Sequence, residues 1–386
     1  METRKLYYED CHLQTFSAQV ISCTEIKGGF AVVLDATAFY PEGGGQACDL
    51  GTLDDIKVLN VQEQGNSVMH LCEKPLPAGK TVEGRIDYAR RFDLMQQHTG
   101  EHIVSGIIHR RFGYHNVGFH VGADVIQIDF DGIIPSEALP EIEWEANQAV
   151  WANLPVNCRY PAPEEHPHIT YRTKRQLDWP VRIVKIGDVD SCACCGVHTA
   201  YTGEVGIIKI FSCVKFHQGV RLEMACGSRA LQYLTKVFDQ NRQVSRIFSA
   251  KPLETAAAAQ QFTQQLAAEK FRCTGLERQF FDTIAAVYKN KNNVLHFHEN
   301  ISPAGARELA QRIADQCSGI AVVVIPGESV SHICISRPGC DLSSVTEAIT
   351  TQLCAKGGGR NGFFQGTLSA SREKIESFFH SQWEFS

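Results

Sequence analysis

The chain has 386 residues, more than one hydrophobic core usually organises, so two or three domains are expected. A net charge of −6 excludes a binder held to nucleic acid by bulk basicity, while leaving room for a local basic patch. No apolar run approaches the roughly 18–20 residues of a membrane-spanning helix, and the polar start METRKLYYEDCHL lacks the apolar core of a signal peptide.

From residue 1 to about 88, short apolar runs alternate with turn signals: FSAQVISCTEI, GGFAVVLDATAFY, GTLDDIKVLNVQEQ, SVMHLCEK and KTVEGRID. This spacing predicts a small all-β unit, a β-barrel in preference to a sandwich. Near residue 89 the period changes. Phe92, Met95, Ile103, Ile107 and Ile108 follow a helical rhythm between Arg90 and Phe112. VIQIDFDG then reads as a strand, SEALPEIEWEANQAVWANLP as a helix opened by Ser136, and VNCRYPAP as a strand. RIVKIGDVDSCACCGVHT closes an α+β domain expected over residues 89–226. Ser228 to Phe248 and Leu253 to Tyr288 are rich in Ala, Gln, Glu, Leu and Lys, with Pro252 between them. They predict two long helices, an antiparallel hairpin connecting the domains over residues 227–290. The order strand, helix, strand, strand, helix then follows in NVLHFHE, PAGARELAQRIADQC, GIAVVVIPG, SHICISR and SSVTEAITTQLCAK. It predicts a small α/β domain over residues 291–386, with a glycine-rich loop, KGGGRNGFFQGTL, before a last helix.

The chemistry concentrates in the second segment. His98 and His102 stand four apart in LMQQHTGEHIVSGIIH, and on a helix that spacing turns by only about 40° over about 6 Å. SCACCGVHT adds Cys194 and His198 in a C-x3-H pair. Thiolate sulfur with imidazole nitrogen is the donor set zinc prefers, usually tetrahedral. If all four side chains bind, the site is closed and structural; if one is displaced, the metal reaches water or substrate. HTGEH also fits H-x-x-E-H, an inverted zinc-peptidase motif with Glu101 as general base. A peptidase needs a downstream carboxylate ligand, whereas this chain offers Cys194 and His198. The fifteen cysteines are an odd, scattered set in a chain too large to need staples. They read as reduced thiols of a cytoplasmic protein.

Two glycine-rich stretches and three basic patches complete the candidates. Thr37, Gly43, Gly44, Gly45 and Gln46 lie between Asp35 and Gly51, where consecutive glycines make either a hairpin turn or a backbone that approaches a ligand closely. Gly357, Gly358 and Gly359 with Arg360 either cradle a phosphate or end a helix; no Gly-Lys-Ser/Thr follows, so this is not a Walker loop. The basic patches are Arg90 with Arg91, Arg110 with Arg111, and Arg172 with Lys174 and Arg175; each is either a solvated face or a ligand contact.

Together these residues resemble the free-standing alanyl-tRNA editing proteins, the AlaX family in its long form, and the matching C-terminal editing half of alanyl-tRNA synthetase. AFYPEGGGQACDLG is similar to the family's glycine-rich motif, HTGEH to its first zinc pair, CCGVH to its C-G-G-T-H pair, and GSRALQYL to its run into the connecting helices. The last domain resembles one shared with DHH-type phosphoesterases, including the GGGR loop. Cys195 stands where the family commonly has glycine and Val197 where it has threonine; the family pattern points to Cys194 as the sulfur ligand. The resemblance implies a zinc-dependent ester hydrolase that edits mischarged tRNA for alanine in trans, serine first and glycine second, in the service of translation fidelity. An alanine pocket rejects neither well, and a second, hydroxyl-reading site supplies the difference. By the same resemblance, the glycine-rich motif lies against the zinc pocket and Thr37 and Gln46 help recognise the amino acid. The resemblance assigns Glu101 no fixed role; beside the metal it is expected to orient a water. The last domain grips tRNA by resemblance, with Gly358, Gly359 and Arg360 as its candidate contacts, and the basic pair Arg110 and Arg111 is a further candidate. No ATP-dependent aminoacylation core is expected, since the β-rich segment leads straight into the ligand pairs. An RNA-binding protein with a structural zinc and no turnover is the alternative of another class. Pairing of two chains through the helices or the last domain, and a hairpin folded on itself, are both open.

Overall fold

Side-chain alternation builds the first sheet. In Thr15–Ile26 the residues Phe16, Ala18 and Val20 face inward while their neighbours are exposed, and Thr81–Ile86 repeats the pattern with Val82 and Ile86. A computed structural model describes residues 2–165, 168–173 and 180–382. Six antiparallel strands close on themselves in the order Thr15–Ile26, Gly29–Leu34, Ser67–Cys72, Ile56–Gln64, Gly51–Leu53 and Thr81–Ile86. Val20, Val32, Leu34, Leu53, Val61 and Val68 fill the interior. The long segment between Leu34 and Gly51 leaves the barrel; it carries the glycine-rich motif and only a two-residue strand, Ala36–Thr37, paired with Arg4–Lys5.

Helix α1 (Tyr88–Phe112) follows at once. Asp87 accepts a hydrogen bond from the Arg90 amide at its start, and Gly113, at φ 73°, ends it. Every residue from Leu94 to Ile108 is buried, so α1 is enclosed on all sides. A four-stranded antiparallel sheet (Ile208–Phe216, Gly219–Cys226, Ile126–Phe130, Asn116–Val121) packs against it, as do helix α2 (Leu139–Trp151) and a three-stranded sheet (Val156–Arg159, Ile183–Ile186, Asp190–Ala193). Gly100 and Gly106 permit this approach: a Cβ on either would stand 2.1 Å from Cys226 Sγ or 2.3 Å from the Val189 carbonyl. Both weaken an isolated helix by about 1 kcal/mol relative to alanine, so packing decides here.

The chain divides into two units, residues 1–242 and 243–386, with the boundary inside helix α3 (Gly227–Ile247). The break expected near residue 88 therefore lies within the first unit. In the second unit, helix α4 (Thr255–Val287) exposes Phe262, Leu266, Phe271 and Leu276 and is buried only near its end, at Phe281 and Ala285. Phe262 meets the Phe248 ring edge-on at 5.7 Å. A five-stranded sheet follows, in the order Val294–Phe297, Ala321–Ile325, Ser331–Ser336, Phe363–Leu368, Lys356–Gly358, with only the first pair parallel. Successive residues of Ala321–Ile325 serve opposite faces. Ala321 and Val323 meet helix α5 (Pro303–Ala314) and the end of α4; Val322 and Val324 meet α6 (Ser343–Leu353) and α7 (Arg372–Gln382). With helices on both faces the strand is buried from Ala321 to Val324, which is why it reads as an unbroken apolar run.

Candidate metal centre

His98 and His102 lie on consecutive turns of α1, their ring centroids 5.3 Å apart. Cys194 follows the strand Asp190–Ala193, and His198 lies four residues on; the His198 ring sits 4.5 Å from that of His98 and 4.6 Å from that of His102. One donor atom from each of the four lies within 4.8 Å of the others. The sequence pairs are thus brought to a single point.

Each imidazole is fixed from behind. Gln46 Oε1 lies 2.8 Å from His98 Nδ1, Asp190 Oδ2 lies 2.9 Å from His102 Nδ1, and Thr99 Oγ1 lies 3.4 Å from His198 Nδ1. The Gln46 amide oxygen and the Asp190 carboxylate only accept, so they place the proton on Nδ1 of His98 and His102 and leave those Nε2 lone pairs facing inward. Thr99 Oγ1 already accepts from the Thr199 amide and hydroxyl. His98 Nε2 lies 3.4 Å from Cys194 Sγ, and His198 Nε2 is buried with no hydrogen-bond partner. Burial and the neighbouring His98 and His102 hold the His198 pKa well below its ordinary value, so its ring is neutral. Burial pushes the Cys194 thiol up, but the three imidazoles outweigh it and hold the pKa well below the usual thiol range. An orphaned inward nitrogen, two further imidazoles and a thiolate fit a bound metal ion.

Asp190 is itself clamped by Arg172, with Nε 2.7 Å from Oδ1 and Nη2 2.9 Å from Oδ2. Burial raises the Asp190 pKa, while His102 and Arg172 more than reverse this and keep the carboxylate charged. Glu101, also buried, accepts from the Ser105 hydroxyl at 2.6 Å and from the Asn116 amide; its other oxygen lies 3.8 Å from His102 Nε2. His98, His102 and Cys194 border a cavity of about 610 Å³ whose walls include Gly44, Gly45, Glu101, Phe119, Tyr160 and Arg182, within the range of small-ligand sites; His198 stands behind them, away from its walls. The glycine-rich turn forms one wall: Gly43 and Gln46 bond each other's backbones at 3.1 and 2.9 Å, and a Cβ on Gly45 would stand 2.5 Å from the Phe119 ring.

Other sequence candidates lie elsewhere. Thr37 is fully buried beside the barrel, its hydroxyl engaged by His70 Nε2 at 2.8 Å and the Phe39 amide at 3.1 Å, and it is not among the residues lining the cavity. Its donor proton and one lone pair are engaged within the segment that leads to the glycine-rich turn. Arg91 is not a surface patch either, because it is fully buried against Asp49. Arg90 reaches the Cys48 carbonyl at 3.3 Å, and Arg110 and Arg111 pair with Glu145 and Glu141 of α2. Lys174 and Arg175 lie outside the described residues. In the second unit, Gly358 ends an exposed edge strand, and Gly359 and Arg360 border a separate cavity with Asp341 and Ser343. The glycine run is thus strand and turn, not a helix end.

Sequence reading passed over Asp190, Asn116 and Arg182. Asp190 stands 88 residues from the histidine it supports, a separation no local pattern reveals.

Two family models match the chain: tRNA synthetases class II (A) over residues 2–90, and the threonyl and alanyl tRNA synthetase second additional domain over residues 181–223. The alanine–tRNA ligase of Pyrococcus abyssi is 31% identical over 97% of this chain, which spans 43% of that ligase. The alanine–tRNA ligase of Halobacterium salinarum is 36% identical over 68% of the chain, covering 30% of the ligase. The alanyl-tRNA editing protein Aarsd1 of Danio rerio is 27% identical over 95% of the chain and 94% of its own length. The chain spans less than half of the ligases but nearly all of the editing protein, with its four ligand candidates assembled at one point. It carries tRNA synthetase domains found in the alanine–tRNA ligases and is similar over nearly its whole length to an alanyl-tRNA editing protein.

Proposed function

We propose that the protein is a zinc-dependent hydrolase that deacylates mischarged tRNA for alanine, with serine as the first misattached amino acid and glycine the second. The observation that carries this reading is the convergence of three imidazoles and one thiolate at one point, with His98, His102 and Cys194 bordering a cavity walled by the glycine-rich turn. Three nitrogens and one sulfur are a donor set that suits zinc, and one of them displaced opens a position to water or substrate. When bound, zinc supplies a Lewis acid that polarises the ester carbonyl or lowers the pKa of a water.

The remaining steps belong to the protein. Gln46 holds the His98 proton on Nδ1, and Asp190 does the same for His102. Glu101 is buried, held by Ser105 and Asn116, and borders the cavity, so its carboxylate is placed to orient a water and take its proton. The cavity leaves room for an aminoacyl group and part of a ribose. Deacylation consumes no ATP. A cytoplasmic setting goes with this function: all fifteen thiols are free, and no helix among the described residues is long and apolar enough to cross a membrane.

A second reading draws on the four donors themselves. If all four bind, the tetrahedron is closed and the zinc is structural, in an RNA-binding protein without turnover. Hydrolysis of seryl-, glycyl- and alanyl-tRNA for alanine, with zinc content measured on the same preparation, separates the two. We expect rapid loss of serine with alanine spared, at about one zinc per chain, and loss of turnover in His98→Ala. Zinc present without turnover of any of the three overturns the hydrolase.

A further inference from the structure

The turn Cys194-Cys195-Gly196 is held from outside by two side chains. Arg182 Nη1 donates to the Cys194 carbonyl at 2.9 Å and to the Gly196 carbonyl at 2.8 Å. The Tyr8 hydroxyl donates to the carbonyl between them, that of Cys195, at 2.6 Å. The guanidinium carbon lies 4.3 Å from the centre of the Tyr8 ring, so the two donors also brace each other. Tyr8 packs edge-on against the buried Tyr7 at 4.6 Å. Three successive carbonyls are thus fixed by side chains from two separate parts of the first unit.

The inner side of the turn is equally constrained. The Cys194 amide donates to the Arg182 carbonyl at 3.1 Å, and the Gly196 amide lies 3.3 Å from Cys194 Sγ. A Cβ on Gly196 would stand 2.1 Å from the His98 ring. Cys195 points elsewhere: its Sγ lies 3.3 Å from where a Cβ on Gly44 would stand, and the residue is exposed. Nothing in the chemistry of sulfur prefers one of two adjacent cysteines as a soft ligand. Rotating the turn's peptide units would exchange them, and it would break the bonds to Arg182 and Tyr8.

We infer that Arg182 and Tyr8 are positioning residues that select Cys194 over Cys195 as the sulfur donor, by fixing three consecutive peptide units. The inference rests on the zinc reading above. One guanidinium nitrogen serves two carbonyls while the planar group stacks on the Tyr8 ring; a lysine ammonium can donate to two carbonyls but has no plane to stack and a shorter, more flexible reach.

The test uses the full chain loaded with zinc, as wild type, Tyr8→Phe, Arg182→Lys and Arg182→Gln. Zinc affinity is read by competition with a chelator, and thiol protection by iodoacetamide alkylation mapped by mass spectrometry. Wild type is expected to be alkylated at Cys195 and protected at Cys194. In the variants zinc binding weakens about 10–100-fold, the usual effect of losing an outer partner of a ligand, and protection is shared between Cys194 and Cys195. Unchanged affinity with protection confined to Cys194 in Tyr8→Phe and Arg182→Lys overturns the clamp and leaves the zinc centre standing. If Arg182→Gln does not fold, Tyr8→Phe, which loses one hydroxyl, decides. A wild type that takes up no zinc removes the zinc centre and the clamp together.

Discussion

Thr37 and His70 show how much one buried hydroxyl can organise. The Val32 carbonyl can only accept, so His70 donates to it from Nδ1, at 3.1 Å, and accepts at Nε2. Thr37 must then donate to His70 at 2.8 Å while accepting from the Phe39 amide at 3.1 Å. Every bond in the chain has one direction. Burial lowers the His70 pKa from 6.5 to about 4, because the charged ring has no water there. The sign follows from where the proton goes. At pH above the unfolded pKa both states are neutral and stability is complete; as pH falls toward about 4 the unfolded chain binds a proton that the native ring refuses. At about 1.4 kcal/mol per unit, the loss is roughly 3 kcal/mol. We expect urea unfolding at pH 4 and 6.5 to show that loss in wild type beyond any shown by His70→Gln; equal losses in both would refute it. The motif containing Thr37 was legible in the sequence, but the direction of its side chain was not. A motif fixes residue type and spacing, whereas orientation depends on His70, 33 residues away.

Helix α1 shows the same division between local and distant information. Its apolar rhythm and the four-residue step from His98 to His102 are local and gave the helix and one ligand pair. Its complete burial is not local, because polar residues face inward only where distant partners meet them. Gln97 exchanges two bonds with the Cys226 backbone, at 3.1 and 2.8 Å, and Gln96 donates to the Glu204 carbonyl at 2.8 Å. Arg91 does most to join α1 to the glycine-rich segment. Its guanidinium grips Asp49 and the Ala38 carbonyl, and Asp49 also accepts from the Tyr40 amide, so both ends of the segment that carries Gly43 to Gln46 are tied to the helix. Both partners are fully buried. Removing one leaves the other charged and unpaired, at a cost of about 3–5 kcal/mol, whereas removing both costs less. Arg91→Met should therefore destabilise the chain more than Arg91→Met combined with Asp49→Asn, as read by denaturant unfolding of the two proteins. A double variant no more stable than the single one would show that Arg91 acts through packing of its stem instead of through its charge.

At the scale of the whole chain the two units divide the candidates by chemistry. All four metal candidates, Gln46 and Glu101 lie in residues 1–242, while Gly358, Gly359 and Arg360 lie in residues 243–386. The alternation of strands and helices in the second unit was legible because a strand with helices on both faces is apolar throughout. The boundary near residue 242 was not, because it falls inside a continuous helix, where neither glycine nor proline marks it. A site that reads the amino acid needs close, buried, directional groups, and the first unit supplies them. Contact with a phosphate backbone needs only an accessible cation, and Arg360 is exposed at the rim of its cavity. If that assignment holds, Arg360→Ala weakens binding of seryl- and glycyl-tRNA for alanine alike, raising KM for both. The salt dependence of binding falls by about one phosphate contact. The ratio of serine to glycine hydrolysis stays that of the wild type, because no group in the metal cavity has changed. Steady-state kinetics on both substrates at several salt concentrations measures all three quantities. A changed ratio would place Arg360 in amino-acid selection, and an unchanged KM and salt slope would free it from tRNA altogether.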